Sequence, residues 1–389
     1  MTTPNKIFIG VGISAIVVMQ VVFSILILRP DGVRMRYPAP GEALPLAASV
    51  AGDAWMKGGT KSIEVRVADA SGREVLSVPA QRDAVKYRGE TVTLLAAWRA
   101  AIEFPGAGTY SIAATVFGSD GRSIRTAPRI VTVDPGFRSR AFVFGSVLHI
   151  VPILLVALLS VLVPLLVKRA GSDRARDGAA LAISLVLWVD EIAYQIWWFL
   201  RGAWSTTGSL MLHMCGLAIL FLPVLYFTEN AKLRQYLFEI MYFFGLGGAM
   251  QALFSPDIGL HGFPEPKFFC FFISHGTLII GAVFAAVLYK VDLTWKSWIR
   301  IIVITNLCTW AAYGINMLLR FIPPYEVGNY FAIGYPPPNG SVIDVFASIF
   351  GPSPRYLIGL ELMGLAVFGV LYLPFPIRRL LKKRAAPSS

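Results

Sequence analysis

The chain consists of long apolar runs and one segment with a different pattern of hydrophobic and polar positions. A first apolar run spans Ile7 to Leu28, and seven more follow later in the chain. These later runs are Phe142 to Val167, Gly178 to Leu200, Gly208 to Thr228, Tyr236 to Phe254, Phe268 to Tyr289, Ile299 to Leu319 and Tyr356 to Phe375. Each is close to the ~20 residues that a helix needs to cross a bilayer. The pattern therefore predicts a mainly α-helical polytopic membrane protein with about eight transmembrane helices.

The first apolar run is predicted to be a retained signal anchor within residues 1–30. Lys6 precedes the run, which ends at Arg29-Pro30 without a small-x-small cleavage site. This arrangement favours an uncleaved anchor with its N-terminus in the cytoplasm. A cleaved signal peptide is the alternative.

Residues from about 36 to 134 alternate between apolar and polar positions, as in Ser62 to Val67 and Trp98 to Phe104. Turn signals separate the alternating runs at Ala70-Ser71-Gly72, Pro105-Gly106-Ala107-Gly108 and Ser119-Asp120-Gly121. Short strands broken by turns at this spacing are typical of a β-sandwich, and the strand at Tyr110 looks like the tyrosine-corner strand of an immunoglobulin-like domain. We predict such a domain at residues 31–137, between the first two transmembrane helices. It contains no cysteine, so it has no disulfide, and Trp55 and Trp98 are expected in its core.

Composition agrees with a membrane protein and indicates its orientation. The chain is 56% hydrophobic and 15% charged, whereas a soluble protein carries about 25% charged residues. The net charge is +12. Basic residues of membrane proteins collect in cytoplasmic loops, so this excess indicates membrane orientation, and nucleic-acid binding is not expected. The basic side of the predicted topology holds Lys168, Arg169, Arg174, Arg176, Lys232, Arg234, Lys290, Lys296 and Arg300. The positive-inside rule then places both termini in the cytoplasm and the sandwich outside, with a seven-helix membrane domain at 138–378 and a basic cytoplasmic tail at 379–389.

Polar side chains within the predicted spans concentrate in the outer half of the bilayer. The set comprises Asp190 and Glu191 near mid-depth and, further out, Gln195, His213, Cys215, Gln251, His275, Asn316 and Glu361. Ionisable and polar groups are costly in hydrocarbon, so they face a protein interior or a water-filled cavity. We expect one polar cavity, open to the outside or to the outer leaflet, to which several helices contribute.

Two of these residues form a candidate catalytic pair, Cys215 and His275. A thiol in a low-dielectric site needs a base or a cation nearby to react as a thiolate. His213 is two residues from Cys215, so a continuous helix would point the two side chains about 200° apart. His275 lies on another helix at similar depth and is the better base. The expected orienting or cavity-lining residues are His213, Glu191, Gln251, Asn316 and Glu361.

The remaining cysteines and the absence of other motifs limit the chemistry. Cys270 and Cys308 are interpreted as packing residues, which is also the alternative for Cys215. No metal-ligand spacing and no nucleotide-binding loop is present, so no metal and no cofactor are predicted.

From about Leu181 to Pro376 the sequence resembles the YwaF-like family of bacterial integral membrane proteins. The matching stretches include 212–217, 242–253, 255–257, 271–276, 294–297 and 314–316. A late pattern of Asn329-Tyr330, Pro336-Pro337-Pro338, Gly351-Pro352 and Glu361 also matches. The resemblance implies a multi-pass protein of the bacterial inner membrane, with the anchor and the sandwich as additions.

The YwaF-like family is in turn similar, more distantly, to a eukaryotic transmembrane acyltransferase that moves polyunsaturated acyl chains onto ether-linked phosphatidylethanolamine. That enzyme uses a Cys nucleophile and a His. By motif position, the resemblance implies these roles for Cys215 and His275. Membrane lipids and an acyl-chain substrate are then the expected partners.

Three functional hypotheses follow. The leading one is a membrane-embedded lipid acyltransferase or acyl hydrolase that acts at the outer leaflet through Cys215 and His275, with His213 and Asn316 orienting the pair or stabilising an oxyanion. The second is a non-catalytic receptor or scaffold that binds a small molecule, with the sandwich docking an envelope partner. The third is a proton-coupled transporter using Asp190, Glu191 and Glu361, which is disfavoured because the chain shows no inverted repeat.

Overall fold

The computed structural model describes residues 3–87, 90–137, 142–259, 261–335 and 342–385. Pro336, Pro337 and Pro338 of the late sequence pattern lie outside these residues. Within them, a β-rich part follows the first helix and a helical part occupies the remainder of the chain.

The β-rich part contains two packed sheets, which confirms the predicted β-sandwich-like architecture. Its strands are β1 (Gly32–Tyr37), β2 (Ala43–Leu44), β3 (Ala47–Trp55), β4 (Thr60–Asp69), β5 (Glu74–Pro79), β6 (Gln81–Tyr87), β7 (Glu90–Glu103), β8 (Gly108–Gly118), β9 (Ser123–Arg125) and β10 (Arg129–Val133). One sheet has the order β1-β3-β7-β6 and the other β2-β10-β8-β4-β5, with β9 paired to β8. Alternate residues of β4, namely Ile63, Val65 and Val67, point into the core with fully buried Trp98. The assignment as immunoglobulin-like stays a prediction; the Tyr110 hydroxyl donates to the Gly106 carbonyl over 3.0 Å.

The helical part contains the apolar spans that the sequence predicts. Its elements, with the first helix, are α1 (Thr3–Ile27), α2 (Val147–Ala170), α3 (Asp173–Leu200), α4 (Met214–Phe227), α5 (Ala231–Met241), a π-helix (Tyr242–Gly248), α6 (Ala249–Phe254), α7 (Pro266–Leu288), α8 (Trp295–Leu318), two 3₁₀ turns (Leu319–Phe321 and Tyr330–Ala332), α9 (Val342–Phe350), α10 (Leu357–Tyr372) and α11 (Pro374–Ala385). In the described residues, seven helical segments are long and apolar enough to cross a membrane. The protein is therefore a multi-pass membrane protein.

The predicted span from Gly208 to Thr228 is wrong in its first part. Helix α4 begins only at Met214 and has 14 residues, while 208–213 form turns and irregular backbone. Side chains from other elements bind the backbone of this irregular stretch: the Tyr330 hydroxyl accepts from Leu210 N, and Gln195 Nε2 donates to Ser209 O. Irregular backbone is tolerated at membrane depth where protein groups satisfy it in this way. Apolar composition alone does not distinguish such a stretch from a helix.

The prolines and glycines between Arg320 and Arg355 predict a long non-helical loop, and this prediction is also wrong in part. Helix α9 spans Val342–Phe350, and a 3₁₀ turn spans Tyr330–Ala332. Buried Ile343 and Ala347 of α9 lie one turn apart on one face and pack in the cluster that contains Tyr330. A one-sided apolar stripe of this spacing stabilises a short helix by tertiary packing.

Buried charged side chains join the sandwich to the membrane domain. Arg34 of β1 pairs with Asp53 at 2.7 Å and also donates to the Trp204 carbonyl, which follows α3. Arg201 pairs with Glu42 of the sandwich at 3.4 Å and with Glu265, which precedes α7, at 3.5 Å. The ends of the helices near Arg201 and Glu265 are called the sandwich end below.

Replacing Arg34 with alanine is expected to destabilise the protein by about 3–5 kcal/mol, because it leaves Asp53, which is 5% exposed, without its closest cation. The measurement is denaturant unfolding of the protein in detergent micelles, followed by the fluorescence of its tryptophans. Arg66→Ala is the control, since Arg66 pairs with Glu64 on a more exposed surface and should cost less than about 1 kcal/mol. Equal losses in the two variants would show that the buried contacts of Arg34 with Asp53 and with the Trp204 carbonyl stabilise the protein no more than an exposed ion pair does.

Candidate functional site

Cys215 lies in the first turn of α4, close to the sandwich end. His213 is the N-cap residue, its carbonyl accepts from Leu217 N over 3.0 Å, and its side chain makes no capping hydrogen bond. The first-turn amides of Met214, Cys215 and Gly216 have no acceptor within the helix, and the helix dipole adds partial positive charge there. Such a position can stabilise an oxyanion that forms beside the thiol.

Two glycines pack closely around Cys215. A Cβ atom on Gly248, the last residue of the π-helix, would lie 3.3 Å from Cys215 Sγ. A Cβ atom on Gly216 would lie 3.0 Å from the backbone of Met211. The π-helix, α4 and α7 contact one another pairwise, so Cys215 stands at the meeting point of α4 and the π-helix. π-Helical turns inside α-helices often occur at functional sites.

His275 on α7 lies at the depth of Cys215. Both α4 and α7 begin at the sandwich end, and Leu222 of α4 packs on Gly281 of α7. About two turns back from Leu222 and Gly281 toward that end are Cys215 and Ser274, which immediately precedes His275. No hydrogen bond joins Cys215 to His275 among the described residues. The structure therefore brings the two side chains to one level on contacting helices without a direct bond.

The hydrogen bonds of His275 fix its neutral tautomer. Its Nδ1 lies 2.8 Å from the Phe271 carbonyl, which only accepts hydrogen bonds, so we assign the proton to Nδ1. The Ser274 hydroxyl donates to the same carbonyl at 3.3 Å. Nε2 then carries the lone pair, and a ring nitrogen in this state can act as a base.

The hydrogen bonds of His213 fix the opposite tautomer. Its Nδ1 accepts from the backbone N–H of Phe331 over 3.3 Å, so the proton lies on Nε2, which is a donor. The ring lies 5.2 Å from that of Tyr330. Phe331 and Ala332 have left-handed backbone, with φ of 58° and 54°, a conformation that costs of order 1 kcal/mol or more for such residues. The donor at His213 is thus held by a strained turn.

Asn316 fixes this turn. Its Nδ2 donates to the Tyr330 carbonyl and its Oδ1 accepts from Tyr330 N, each over 3.0 Å, in a fully buried site. A Cβ atom on Gly328 would lie 2.6 Å from Asn316 Oδ1, so only glycine fits beside the amide. Both polar atoms of Asn316 are used by the turn that holds His213, and neither bonds to Cys215 or His275.

The other predicted orienting residues divide into two groups. Gln195 Nε2 donates to Glu191 Oε1 over 2.7 Å, and Gln195 Oε1 accepts from the Trp204 indole over 2.6 Å, so this group supports the stretch that leads to α4. Glu361 accepts from Asn306 of α8 over 3.1 Å, and the Gln251 side chain is exposed. Neither Glu361 nor Gln251 shares a hydrogen bond with the candidate pair in the described part of the chain.

Some contributors were not among the sequence candidates. Tyr330 belongs to the quoted Asn-Tyr pattern, but only the fold shows that its hydroxyl bridges Thr206 O and Leu210 N. The buried imidazole of His149 accepts from Gly145 N and donates to the Leu253 carbonyl, joining α2 to α6 as a structural link. In the described ranges, no group of three or more His, Cys, Asp or Glu side chains is placed to hold a metal ion.

Replacing Gly248 with alanine should slow alkylation of Cys215 severalfold, because the added methyl group would touch Sγ. The rate is measured with N-ethylmaleimide in a protein whose Cys270 and Cys308 are replaced with alanine. Gly364→Ala on α10 is the control, since nothing lies within 4 Å of a Cβ atom there. An unchanged rate in Gly248→Ala would contradict the packing described for Cys215.

Comparisons with known proteins identify the membrane domain. The model of the TMEM164 family matches residues 143–372. No curated protein matches the chain. Among solved structures, CopC from Methylosinus trichosporium OB3b is 18% identical and covers 28% of this chain and 97% of its own, with a TM-score of 0.21. Fibronectin(III)-like modules of Clostridium thermocellum CbhA are 20% identical and cover 28% of this chain and 100% of their own, with a TM-score of 0.18.

The family match extends over more than half of the chain, from the start of α2 to the end of α10. It includes the irregular stretch before α4, Cys215, His275 and the turn at Tyr330, and it excludes α1 and the sandwich. The assignment to YwaF-like proteins stays a prediction. By its membrane domain, this chain belongs to the TMEM164 family.

Proposed function

We propose that the protein is a membrane-embedded lipid acyltransferase or acyl hydrolase in which Cys215 is the nucleophile and His275 the base. The observation that carries the proposal is the complementary tautomers of two histidines, one at the N-cap of α4 and one on the contacting helix α7. His275 offers an Nε2 lone pair, His213 offers an Nε2–H donor, and Cys215 lies in the amide-rich first turn between them in sequence. A nucleophile, a base and an oxyanion donor are the groups that acyl transfer requires.

In the first half-reaction, the Cys215 thiol gives its proton to His275 Nε2 as Sγ attacks the acyl ester carbonyl. The carbonyl oxygen becomes an oxyanion, which the first-turn amides and His213 Nε2–H stabilise. The tetrahedral intermediate collapses to a thioester, and the departing alkoxide takes the proton back from His275. Because Cys215 and His275 share no hydrogen bond in the described structure, the two side chains have to approach each other when substrate binds, the stage at which catalytic hydrogen bonds often tighten.

In the second half-reaction, His275 takes the proton of an acceptor hydroxyl as its oxygen attacks the thioester. The C–S bond breaks, and the sulfur leaves as the Cys215 thiol after receiving that proton. A lipid alcohol as acceptor gives acyl transfer, and water gives hydrolysis. Membrane lipids are the proposed substrates.

The active site is proposed to face the outer leaflet, with both termini in the cytoplasm of a bacterial cell and the sandwich outside. Basic residues such as Arg176 and Arg234 lie at the end of the helices opposite the sandwich, which supports this orientation by the positive-inside rule. Helix α4 starts below the level at which a full-length span would start, so the thiol lies within reach of acyl-ester groups beneath the lipid headgroups.

The test is formation of a hydroxylamine-sensitive acyl label on the protein in nanodiscs that contain a phospholipid with an alkyne-tagged acyl chain. Cys215→Ala should abolish the label, and His275→Asn should slow its formation by about 10²–10⁴-fold, the usual contribution of a general base. Cys270→Ala and Cys308→Ala are the matched controls and should keep the label. Label that persists in Cys215→Ala would refute the mechanism and favour a receptor or scaffold role.

His213 is expected to contribute as a donor. His213→Gln retains an acceptor for Phe331 N and a donor at Nε2, whereas His213→Phe retains neither. Acyl-label formation should fall by about 10²–10³-fold in His213→Phe, the usual effect of losing one oxyanion donor, and by much less in His213→Gln. Melting temperatures of both variants monitor folding, and equal rates in the two would contradict the donor role.

A further inference from the structure

A second cluster of charged residues lies where the sandwich meets the segment that follows α8. The segment is Ile322–Tyr335 and is called the latch segment here. Asp53 of β3 is 5% exposed and pairs with Arg34 and Arg36 of β1, at 2.7 Å and 3.4 Å. Arg82 of β6 donates to the Ala54 carbonyl over 3.0 Å and interacts electrostatically with Asp53.

Glu326 of the latch segment projects into this cluster. It is 8% exposed and accepts a hydrogen bond from the backbone N–H of Ala96 on β7. Its Oε1 is buried and has no hydrogen-bond partner among the described residues. The charged groups that face Glu326 are Asp53, Arg36 and Arg82. Tyr335, at the end of the latch segment, faces Glu326 itself, Arg36 and Asp53. A buried carboxylate with one unsatisfied oxygen is costly, whereas a protonated carboxyl is less so.

The opposite side of the latch segment holds the candidate site. Gly328 N donates to the Asn316 carbonyl and Asn329 N donates to the Thr207 carbonyl, both over 3.0 Å. Two residues further on, Phe331 N donates to His213 Nδ1. One short stretch of chain therefore contacts the sandwich through Glu326 and holds the donor tautomer of His213 through Phe331.

We propose that Glu326 is a positioning residue whose protonated carboxyl fastens the latch segment to the sandwich and thereby holds His213 in place. The catalytic consequence rests on the function proposed above. The proton-dependent contact itself does not depend on that function.

The direction of the pH dependence follows from the environment of Glu326. Burial, followed by the charge of Asp53, raises its pKa from the ordinary 4.5 to about 7, against the effects of Arg36, the Ala96 amide and Arg82. The docked segment thus binds the proton more tightly than a released, solvated segment would. The contact is complete below pH 4.5 and weakens as the pH rises through about 7. Between pH 6 and pH 8 the docking equilibrium should fall about tenfold.

Asp53 does not produce this dependence. Burial alone would raise its pKa, but Arg36 and Arg34 together lower it below the ordinary value. Asp53 is therefore ionised on both sides of neutral pH. Glu326 is the group of the cluster whose charge changes in this interval.

The experiment is hydrogen–deuterium exchange of the full chain in nanodiscs, read on peptides that cover residues 325–333 and corrected for intrinsic exchange. In the wild type, protection should fall about tenfold from pH 6 to pH 8, as the docking equilibrium does. Glu326→Gln, which mimics the protonated acid, should show equal protection at the two pH values, at a level no lower than that of the wild type at pH 6. Glu103→Gln, at an exposed position on β7, is the control and should behave like the wild type.

A wild type without pH dependence, or a Glu326→Gln variant that retains it, would overturn the proposal. If Glu326→Gln does not fold, Arg82→Gln provides the second test, since loss of that cation should move the midpoint of the dependence to higher pH. Acyl-label formation is measured in parallel. A protein with the exchange dependence and no acyl transfer would overturn the proposed function alone. An acyl-label rate that stays constant while the protection of the latch segment changes would overturn the proposed positioning of His213.

Discussion

The arrangement around Cys215 depends on satisfying the backbone of the irregular stretch that precedes α4. Peptide groups away from water need hydrogen-bond partners, and a helix normally supplies them. Here side chains supply the partners. The Tyr330 hydroxyl donates to the Thr206 carbonyl and accepts from Leu210 N. Gln195 donates to the Ser209 carbonyl, and Arg34 donates to the Trp204 carbonyl. Because these hydrogen bonds replace those of a helix, α4 can begin as late along the chain as Met214. Its 14 residues extend about 21 Å, less than the ~30 Å of a hydrocarbon layer, and its N-terminal amides lie beside the thiol.

A continuous helix at this place would have had different chemistry. Its amides around Cys215 would bond to carbonyls one turn earlier, and no partial charge would develop there. His213 would point away from Cys215, as the sequence alone predicted, whereas the actual N-cap position frees its ring to accept from Phe331. The tautomers of the two candidate histidines differ because their Nδ1 atoms have different hydrogen-bond partners, a backbone carbonyl at His275 and a backbone N–H at His213. Backbone geometry thus leaves Nε2 as an acceptor on His275 and as an N–H donor on His213.

The sequence predicted the β-sandwich-like part and the apolar helices, and it named candidate site residues without the contacts that hold them. Alternation with a period of two identified the sandwich, and run length identified the spans, because both patterns follow directly from burial. The stretch at 208–213 escaped detection because buried irregular backbone has the same apolar composition as a helix. Asn316 was predicted to orient the candidate pair or to line a cavity, whereas its bonds to Tyr330 depend on a turn more than ten residues away. The predicted depth of Cys215 and His275 in their spans identified them as a candidate pair. No sequence pattern, however, shows which nitrogen of a histidine carries the proton.

Helix α1 and the sandwich lie outside the family match, but they are not independent modules. The Phe23 ring of α1 contacts the Trp204 ring at 5.8 Å, and Arg34 of the sandwich bonds the Trp204 carbonyl. Trp204 in turn donates to Gln195, which binds Ser209 in the stretch before Cys215. Deleting the sandwich would therefore disturb the candidate site directly, and a loss of function in that deletion would not distinguish a catalytic protein from a scaffold that docks a partner. A conservative replacement of the thiol, Cys215→Ser, leaves every contact of the sandwich in place and separates the two roles.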